Sequence, residues 1–213
     1  MDSPRDSLFE RFPSLSAVEK QFQMAFETLR STVADGGTIF TCGNGGSAAD
    51  AEHIVGELMK GFILDRPLQQ KETEAFELAL GQEEGRQIAN ALQGGIKAMS
   101  LVGHPSLATA FANDADPAMV FAQQLHVLGT EGDALIALST SGNSENVVNA
   151  LKVAKAKKIA SIALTGADGG ECAETADATI TVPETETHKA QELHLPIYHA
   201  LCAMLEEEFY GGG

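Results

Sequence analysis

His53 and Glu57 lie four positions apart in a segment with a helical pattern. Residues at i and i+4 share one face of an α-helix. One imidazole and one carboxylate can together bind a zinc-like divalent ion, although such a pair is more often a surface hydrogen bond. The pair therefore indicates a metal site only if further donors come from elsewhere in the chain.

A glycine-rich turn precedes this helix. Residues 43–47, Gly-Asn-Gly-Gly-Ser, follow an apolar run. Glycine permits positive φ and close approach of the backbone to a ligand, and Ser47 with Asp50 matches the S-x-x-D start of a helix. The pattern is neither GxGxxG nor a P-loop. Alone it indicates a strand-to-helix turn.

A second turn, in "LSTSGNSENVVNAL" (138–151), is rich in hydroxyl groups. They belong to Ser139, Thr140, Ser141 and Ser144, and the next helix begins directly behind them. Hydroxyls and free backbone N–H groups at a helix N-terminus can bind a phosphate monoester without lysine or arginine. An ordinary capped turn is the alternative interpretation, but it needs only one hydroxyl.

The last helical segment carries a second pair of candidates. Gln191 and His199 are eight residues apart, which places them within about 80° of each other on a helix. His194 lies near this face, and Pro196 removes a backbone donor and should kink or loosen the helix. On spacing alone the two histidines cap or pack. His104 and His126 have no evident partners and are interpreted as structural.

The elements that must position these residues alternate between strand and helix. Buried strands are predicted at 37–42, 96–103, 133–140, 158–166 and 178–183, and helices at 16–33, 47–62, 117–128, 145–157 and 186–209. This alternation predicts a parallel sheet with helices on both faces, in which ligands bind at the carboxyl ends of strands. Residues 1–15 read as a tail, and polar residues 65–95 read as a rim insertion with one helix near 84–93.

Composition narrows the class of function. Thirty acidic and fourteen basic residues give a net charge of -16, which argues against nucleic-acid binding and against an anionic membrane surface. No run approaches the roughly 20 apolar residues of a membrane span. The three cysteines have no CxxC spacing, so neither a disulfide framework nor a thiolate zinc site is indicated. A cytoplasmic location is expected.

Four segments together resemble the phosphoheptose isomerases of the SIS (sugar isomerase) family, and the resemblance runs from about Phe22 to the C-terminus. The segments are "CGNGGSAADAEHIVGEL", "FANDADPAMVFAQQL", "LSTSGNSENVVNAL" and "AQELHLPIYHALCAMLE". The resemblance implies a single α/β SIS domain over 16–210, a five-stranded parallel sheet flanked by helices, and a homotetramer that uses the N-terminal helix.

The same resemblance implies the reaction and the residues that perform it. The reaction converts sedoheptulose 7-phosphate to D-glycero-D-manno-heptose 7-phosphate through a metal-stabilised enediolate, with Glu57 and His199 as the acid-base groups. The implied zinc ligands are His53, Glu57, Gln191 and His199. The implied substrate-binding residues are Asn44, Gly45, Gly46, Ser47, Glu57, Asn113, Asp114, Ser139, Thr140, Ser141, Ser144 and Gln191.

Some features depart from the family pattern. His188 stands where an acidic residue is expected, segment 65–95 is long and acidic, and Pro196 lies within the metal-bearing helix. Two alternatives share the phosphate-binding turn: a non-catalytic SIS scaffold that assists the replication initiator, and a module that senses a sugar phosphate. The presence of all four implied metal ligands favours the enzyme.

Overall fold

A computed structural model describes residues 3–212. Within this range, five parallel strands form one sheet in the spatial order β2-β1-β3-β4-β5. The strands are β1 (Ile39–Gly43), β2 (Ala98–Ser100), β3 (Ala134–Ser139), β4 (Ala160–Thr165) and β5 (Ala178–Thr181). The predicted parallel sheet is confirmed. The edge strand β2 is shorter than the predicted run 96–103 and is partly exposed.

Helices cover both faces of this sheet. They are α1 (Pro4–Arg11), α2 (Glu19–Ala34), α3 (Gly46–Met59), α4 (Gln70–Leu80), α5 (Gln82–Ala91), α6 (Pro105–Asp114), α7 (Val120–Leu128), α8 (Glu145–Lys157), α9 (Gly170–Thr175) and α10 (Thr187–Tyr210). Short 3-10 turns at Pro13–Val18 and Pro117–Met119 precede α2 and α7. Among residues 3–212, no helix is both long and apolar enough to cross a membrane.

Alternate residues of each strand enter two separate cores. Ile39 and Ile136 pack with α2, α3 and α10, whereas Phe40 and Leu135 pack with α7, α8 and α9. Successive side chains of a strand point to opposite faces of the sheet, and strands covered on both faces read as continuous apolar runs. The apolar runs in the sequence therefore follow from the three-layer architecture.

Residues 1–15, predicted as a tail, contain a packed helix in the described part. Helix α1 contacts α10, and Leu8 and Leu15 are buried. The predicted helix 16–33 is present as the 3-10 turn followed by α2, and its use in oligomerisation stays a prediction. Helix α10 continues through Pro196, so the proline does not end it.

The rim insertion 65–95 contains two helices, α4 and α5, where one was predicted near 84–93. Gly81, at φ +91°, joins them, and a Cβ at Gly85 would lie 2.4 Å from the Phe76 carbonyl oxygen, so the pair folds back on itself as a hairpin. Leu78 on α4 is 91% exposed. Helix α4 was missed because it lacks the buried apolar stripe that reveals a helix in sequence.

Candidate active site

The two turns singled out in the sequence lie side by side. Strands β1 and β3 are neighbours, with Gly43 paired to Leu138 at their carboxyl ends. From β1 the chain passes to β2 on one side, while β3 lies on the other. This reversal of strand order is the place where open α/β sheets bind ligands.

Hydroxyl contacts shape the serine-rich turn. Ser139 Oγ donates to Ser144 Oγ at 3.0 Å, and the Asn143 N–H donates to Ser141 Oγ at 3.1 Å. Gly142 has φ +66°. Helix α8 begins directly after Ser144, and the first N–H groups of a helix have no partner within it. The turn thus combines hydroxyls with a helix N-terminus, as a phosphate site requires.

The glycine-rich turn brings α3 against α10. Gly45, at φ +58°, precedes the first residue of α3. A Cβ at Gly46 would lie 2.7 Å from the Gln191 amide nitrogen. A Cβ at this position would displace the Gln191 amide, so glycine lets that side chain lie against the start of α3. Ser47, the next residue, is buried at 3% exposure.

An asparagine pair joins the two turns. Asn44 Nδ2 donates to Asn146 Oδ1 at 2.8 Å, and Asn146 Nδ2 donates to Asn44 Oδ1 at 2.9 Å. Asn146 was not among the predicted site residues. Its position in the first turn of α8, directly behind the serine-rich segment, was the signal that could have identified it.

A polar cluster forms where α3 meets α10. His53 Nε2 lies 3.0 Å from Glu57 Oε1, so the pair predicted from i, i+4 spacing is in contact. The rings of His53 and His199 pack edge to face with centroids 4.9 Å apart. Lys60 Nζ donates to Glu57 Oε2 at 3.0 Å. The structure thus brings together three of the four implied metal ligands, and Gln191 lies at the start of α3.

The chemistry of these residues fits a zinc site. Two imidazoles and a carboxylate are donors that zinc accepts, and the Gln191 amide offers a further oxygen. His199 Nε2 is buried and has no hydrogen-bond partner within residues 3–212, which suits a nitrogen reserved for a ligand. In the same range, no three His, Cys, Asp or Glu side chains are already arranged as a metal cage.

The local electrostatics set the charges of the acid-base candidates. Burial opposes ionisation of Glu57, but the hydrogen bond and the charge of Lys60 bring its pKa below the ordinary value. Burial, together with the charge of His53, lowers the pKa of His199. At neutral pH, Glu57 is therefore an anion and His199 is neutral.

Other predicted residues lie outside this cluster. His194 is buried, with Nε2 3.2 Å from the Thr165 carbonyl oxygen, which is the packing role that spacing alone favoured. His188 is exposed. Asn113 and Asp114 end α6, where Asn113 Nδ2 donates to Asp114 Oδ1 at 2.8 Å. Their part in substrate binding stays a prediction.

A cavity of about 420 Å³ opens beside His199. Helix α1, the segment after α3 and helix α10 form its walls, which include Arg11, Phe62 and Glu192. The cavity gives solvent and small molecules access to one side of the cluster.

Comparison with known proteins places this fold and site in a class. Models of the SIS domain match residues 10–89 and 109–206. The chain is 34% identical to the phosphoheptose isomerase of Akkermansia muciniphila, over 95% of this chain and 93% of that protein.

Two solved structures have the same architecture. The phosphoheptose isomerase of Neisseria gonorrhoeae aligns with a TM-score of 0.73 at 31% identity, covering 95% of this chain and 94% of that one. The enzyme of Francisella tularensis aligns with a TM-score of 0.75 at 27% identity, covering 95% and 96%. Fold and site together define a sugar-phosphate isomerase of the SIS class. Within that class, the chain belongs to the phosphoheptose isomerase family.

Proposed function

We propose that this enzyme interconverts sedoheptulose 7-phosphate and D-glycero-D-manno-heptose 7-phosphate. The observation that carries the proposal is the contact of His53 with Glu57 and His199 beside the glycine turn, which adjoins the serine-rich turn. Acid-base groups and a phosphate-binding turn at one edge of the sheet are what an aldose-ketose isomerase of a phosphorylated sugar needs.

The serine-rich turn binds the phosphate in this proposal. Ser139, Thr140, Ser141 and Ser144 provide hydroxyl donors, and the N-terminus of α8 provides backbone N–H groups and the positive end of its dipole. Because the chain carries a net charge of -16, these local dipoles rather than a basic surface must hold the dianion. The asparagine pair Asn44–Asn146 holds the two turns together.

Glu57 and His199 move the protons. The isomerisation removes a proton from the carbon next to the carbonyl, passes through an enediolate and returns a proton to the neighbouring carbon. Glu57 is ionised at neutral pH and can accept the first proton on its carboxylate. Neutral His199 can exchange a proton with a substrate oxygen through the ring nitrogen that does not hold the metal.

His53, Glu57, Gln191 and His199 would hold zinc. When bound, zinc supplies Lewis-acid polarisation of the carbonyl and hydroxyl oxygens of the sugar. Gln191, held against Gly46, has an amide that can contact either metal or substrate. The protein's own part is to present these donors on two helices whose packing fixes their separation.

We also propose a homotetramer in the cytoplasm, supported by the resemblance to SIS isomerases. Helices α1 and α2 would contribute to the subunit contacts. Sedimentation velocity of the purified protein tests the assembly: a mass of about four chains is expected, and a monomer at micromolar concentration would contradict it.

The function is tested by assaying purified protein against a panel of phosphorylated ketoses. We expect turnover of sedoheptulose 7-phosphate to exceed that of five- and six-carbon ketose phosphates. Treatment with a chelator should abolish the activity, and added zinc should restore it. A preference for a shorter sugar would contradict the assigned substrate, and turnover that is indifferent to chelator and zinc would contradict the metal.

A further inference from the structure

Tyr198 lies between the two histidines of the polar cluster and has no role in the proposal above. Its side chain is buried at 1% exposure. Its ring packs edge to face against His53 and against His199, with centroid distances of 5.5 and 5.0 Å. A tyrosine at this depth needs a partner for its hydroxyl group.

The hydroxyl of Tyr198 links a carboxylate to His53. It donates to Asp50 Oδ1 at 3.0 Å, and its oxygen lies 3.0 Å from His53 Nδ1. A hydroxyl with the ordinary tyrosine pKa of about 10 keeps its proton at neutral pH, and a carboxylate oxygen can only accept a hydrogen bond. Because that single proton is directed at Asp50, the oxygen can only accept a hydrogen bond from His53. Nδ1 must then carry a proton.

The other side of the His53 ring faces a competing acceptor. Glu57 Oε1 lies 3.0 Å from Nε2 and would draw a proton to that nitrogen. A neutral imidazole has one N–H, so the two acceptors compete for its position. If the proton moved to Nε2, the nitrogen that faces Glu57 would have no lone pair for a metal ion.

We propose that Asp50 and Tyr198 are positioning residues that keep the proton of His53 on Nδ1 and leave Nε2 free to bind metal. The inference rests on the proposed function, because a free Nε2 matters only if zinc binds there. The hydrogen bonds among Asp50, Tyr198 and His53 do not depend on that proposal. Metal-binding histidines usually donate their second N–H to a carboxylate, a carbonyl or water. Here a buried tyrosine hydroxyl takes that place and connects His53 to Asp50.

The proton position can be observed without metal, substrate or activity. Histidine-labelled, metal-free protein is studied by long-range ¹H–¹⁵N correlation at pH about 9, well above the ordinary histidine pKa of about 6.5. A His53→Gln variant assigns the resonance among the six histidines. We expect Nδ1–H in wild type and Nε2–H, donated to Glu57, in Tyr198→Phe. Tyr210→Phe, at the chain's other tyrosine, is the control and should match wild type.

Zinc affinity provides the second readout, measured by competition with a chelator. Tyr198→Phe should bind zinc about 10- to 100-fold more weakly, Asp50→Asn should lose less because its amide oxygen still accepts from Tyr198, and Tyr210→Phe should be unchanged. Circular dichroism confirms that each variant is folded, and the proton position in wild-type protein carries the test if Tyr198→Phe is not.

Different results overturn the two proposals. A proton on Nε2 in wild type, or a Tyr198→Phe spectrum and zinc affinity equal to wild type, overturns the positioning role even if the enzyme is a heptose isomerase. Nδ1–H in wild type that is lost in Tyr198→Phe supports the positioning role even if sedoheptulose 7-phosphate is not turned over.

Discussion

Helix α10 contributes to two polar clusters, one around His199 and one around Glu206. The hydrogen bonds of the His199 cluster are incomplete, whereas those of the Glu206 cluster are complete. At His199, the ring nitrogen Nε2 and the nearby Asp50 Oδ2 are buried without partners among residues 3–212. Seven residues later, Glu206 accepts from the backbone N–H groups of residues 62–64 and from Arg66 Nε, at 2.6 to 3.0 Å.

The complete cluster also supports the incomplete one. Arg66 and Glu206 both have fully buried side chains. Arg66 Nη1 and Nη2 donate to the carbonyl oxygens of Leu58 and Glu57 at 2.8 and 3.3 Å, so the guanidinium caps the end of the helix that carries the acid-base residue. Buried charges whose hydrogen bonds are all made are typical of a structural role, whereas the unpartnered atoms at His199 are available to a ligand.

The first prediction concerns the incomplete cluster. Glu57→Gln removes the anionic base and should reduce kcat/KM by about 10²- to 10⁴-fold, while the free energy of unfolding stays near that of wild type. Kinetic assays and urea denaturation measure the two effects. Glu52→Gln, at an exposed carboxylate of the same helix, is the matched control and should change neither. Full activity in Glu57→Gln would contradict the catalytic role assigned to the incomplete cluster.

The second prediction concerns the complete cluster. Glu206→Ala leaves the buried Arg66 charge without its carboxylate partner and three backbone N–H groups without an acceptor. It should lower the free energy of unfolding by about 3 to 5 kcal/mol. Urea denaturation of the metal-free protein measures this loss. The control is Glu208→Ala on the same helix, whose partly exposed pair with Arg30 should contribute less than about 1 kcal/mol. Equal losses in both variants would contradict the structural role of Glu206.

The third prediction separates the clusters by pH. Burial opposes ionisation of Glu206, but its four hydrogen-bond donors bring its pKa below the ordinary value of 4.5. Burial lowers the pKa of His199 below 6.5. A group with a lowered folded pKa binds fewer protons in the folded state, so stability falls with decreasing pH. The loss due to His199 begins near pH 6.5 and that due to Glu206 near 4.5.

Denaturation of metal-free protein across this pH range tests the two windows. His199→Asn should reduce the slope of the stability curve between pH 6.5 and the lowered folded pKa of His199, while the remaining slope comes from His194, whose pKa is also lowered by burial. Below pH 4.5 the slope should equal that of wild type. Glu206→Gln should have the opposite effect. A single window that both variants alter equally would show that the clusters titrate together.

The helices that the sequence did not reveal share a physical cause. Helices α4, α6 and α9 were missed, and α1 was assigned to a tail. Neither α4 nor α6 has a buried residue, and α9 has six residues, so hydrophobic periodicity is weak in all of them. Helix α8 was predicted at 145–157 and occupies Glu145–Lys157, because it has a serine at the N-cap position and a buried apolar face.

The candidate site also contains some residues that the local sequence predicts and others that it does not. Local spacing was enough to predict the His53–Glu57 contact and the serine-rich turn, while the resemblance to SIS isomerases supplied the link to Gln191 and His199. Asp50, Tyr198 and Asn146 were not predicted. Each acts through a partner more than 100 positions away in sequence, and no local pattern encodes such a contact.

By itself, the sequence determined the elements and the local chemistry of this protein: apolar runs that must be buried on both faces, turns that allow positive φ, and one histidine-glutamate pair on a helix. Tertiary structure decided which elements meet. The packing of α10 on α3 brings His199 to His53, and Gly46 lets Gln191 approach. That packing also determines which polar atoms are paired, because a buried hydrogen bond depends on where both partners lie.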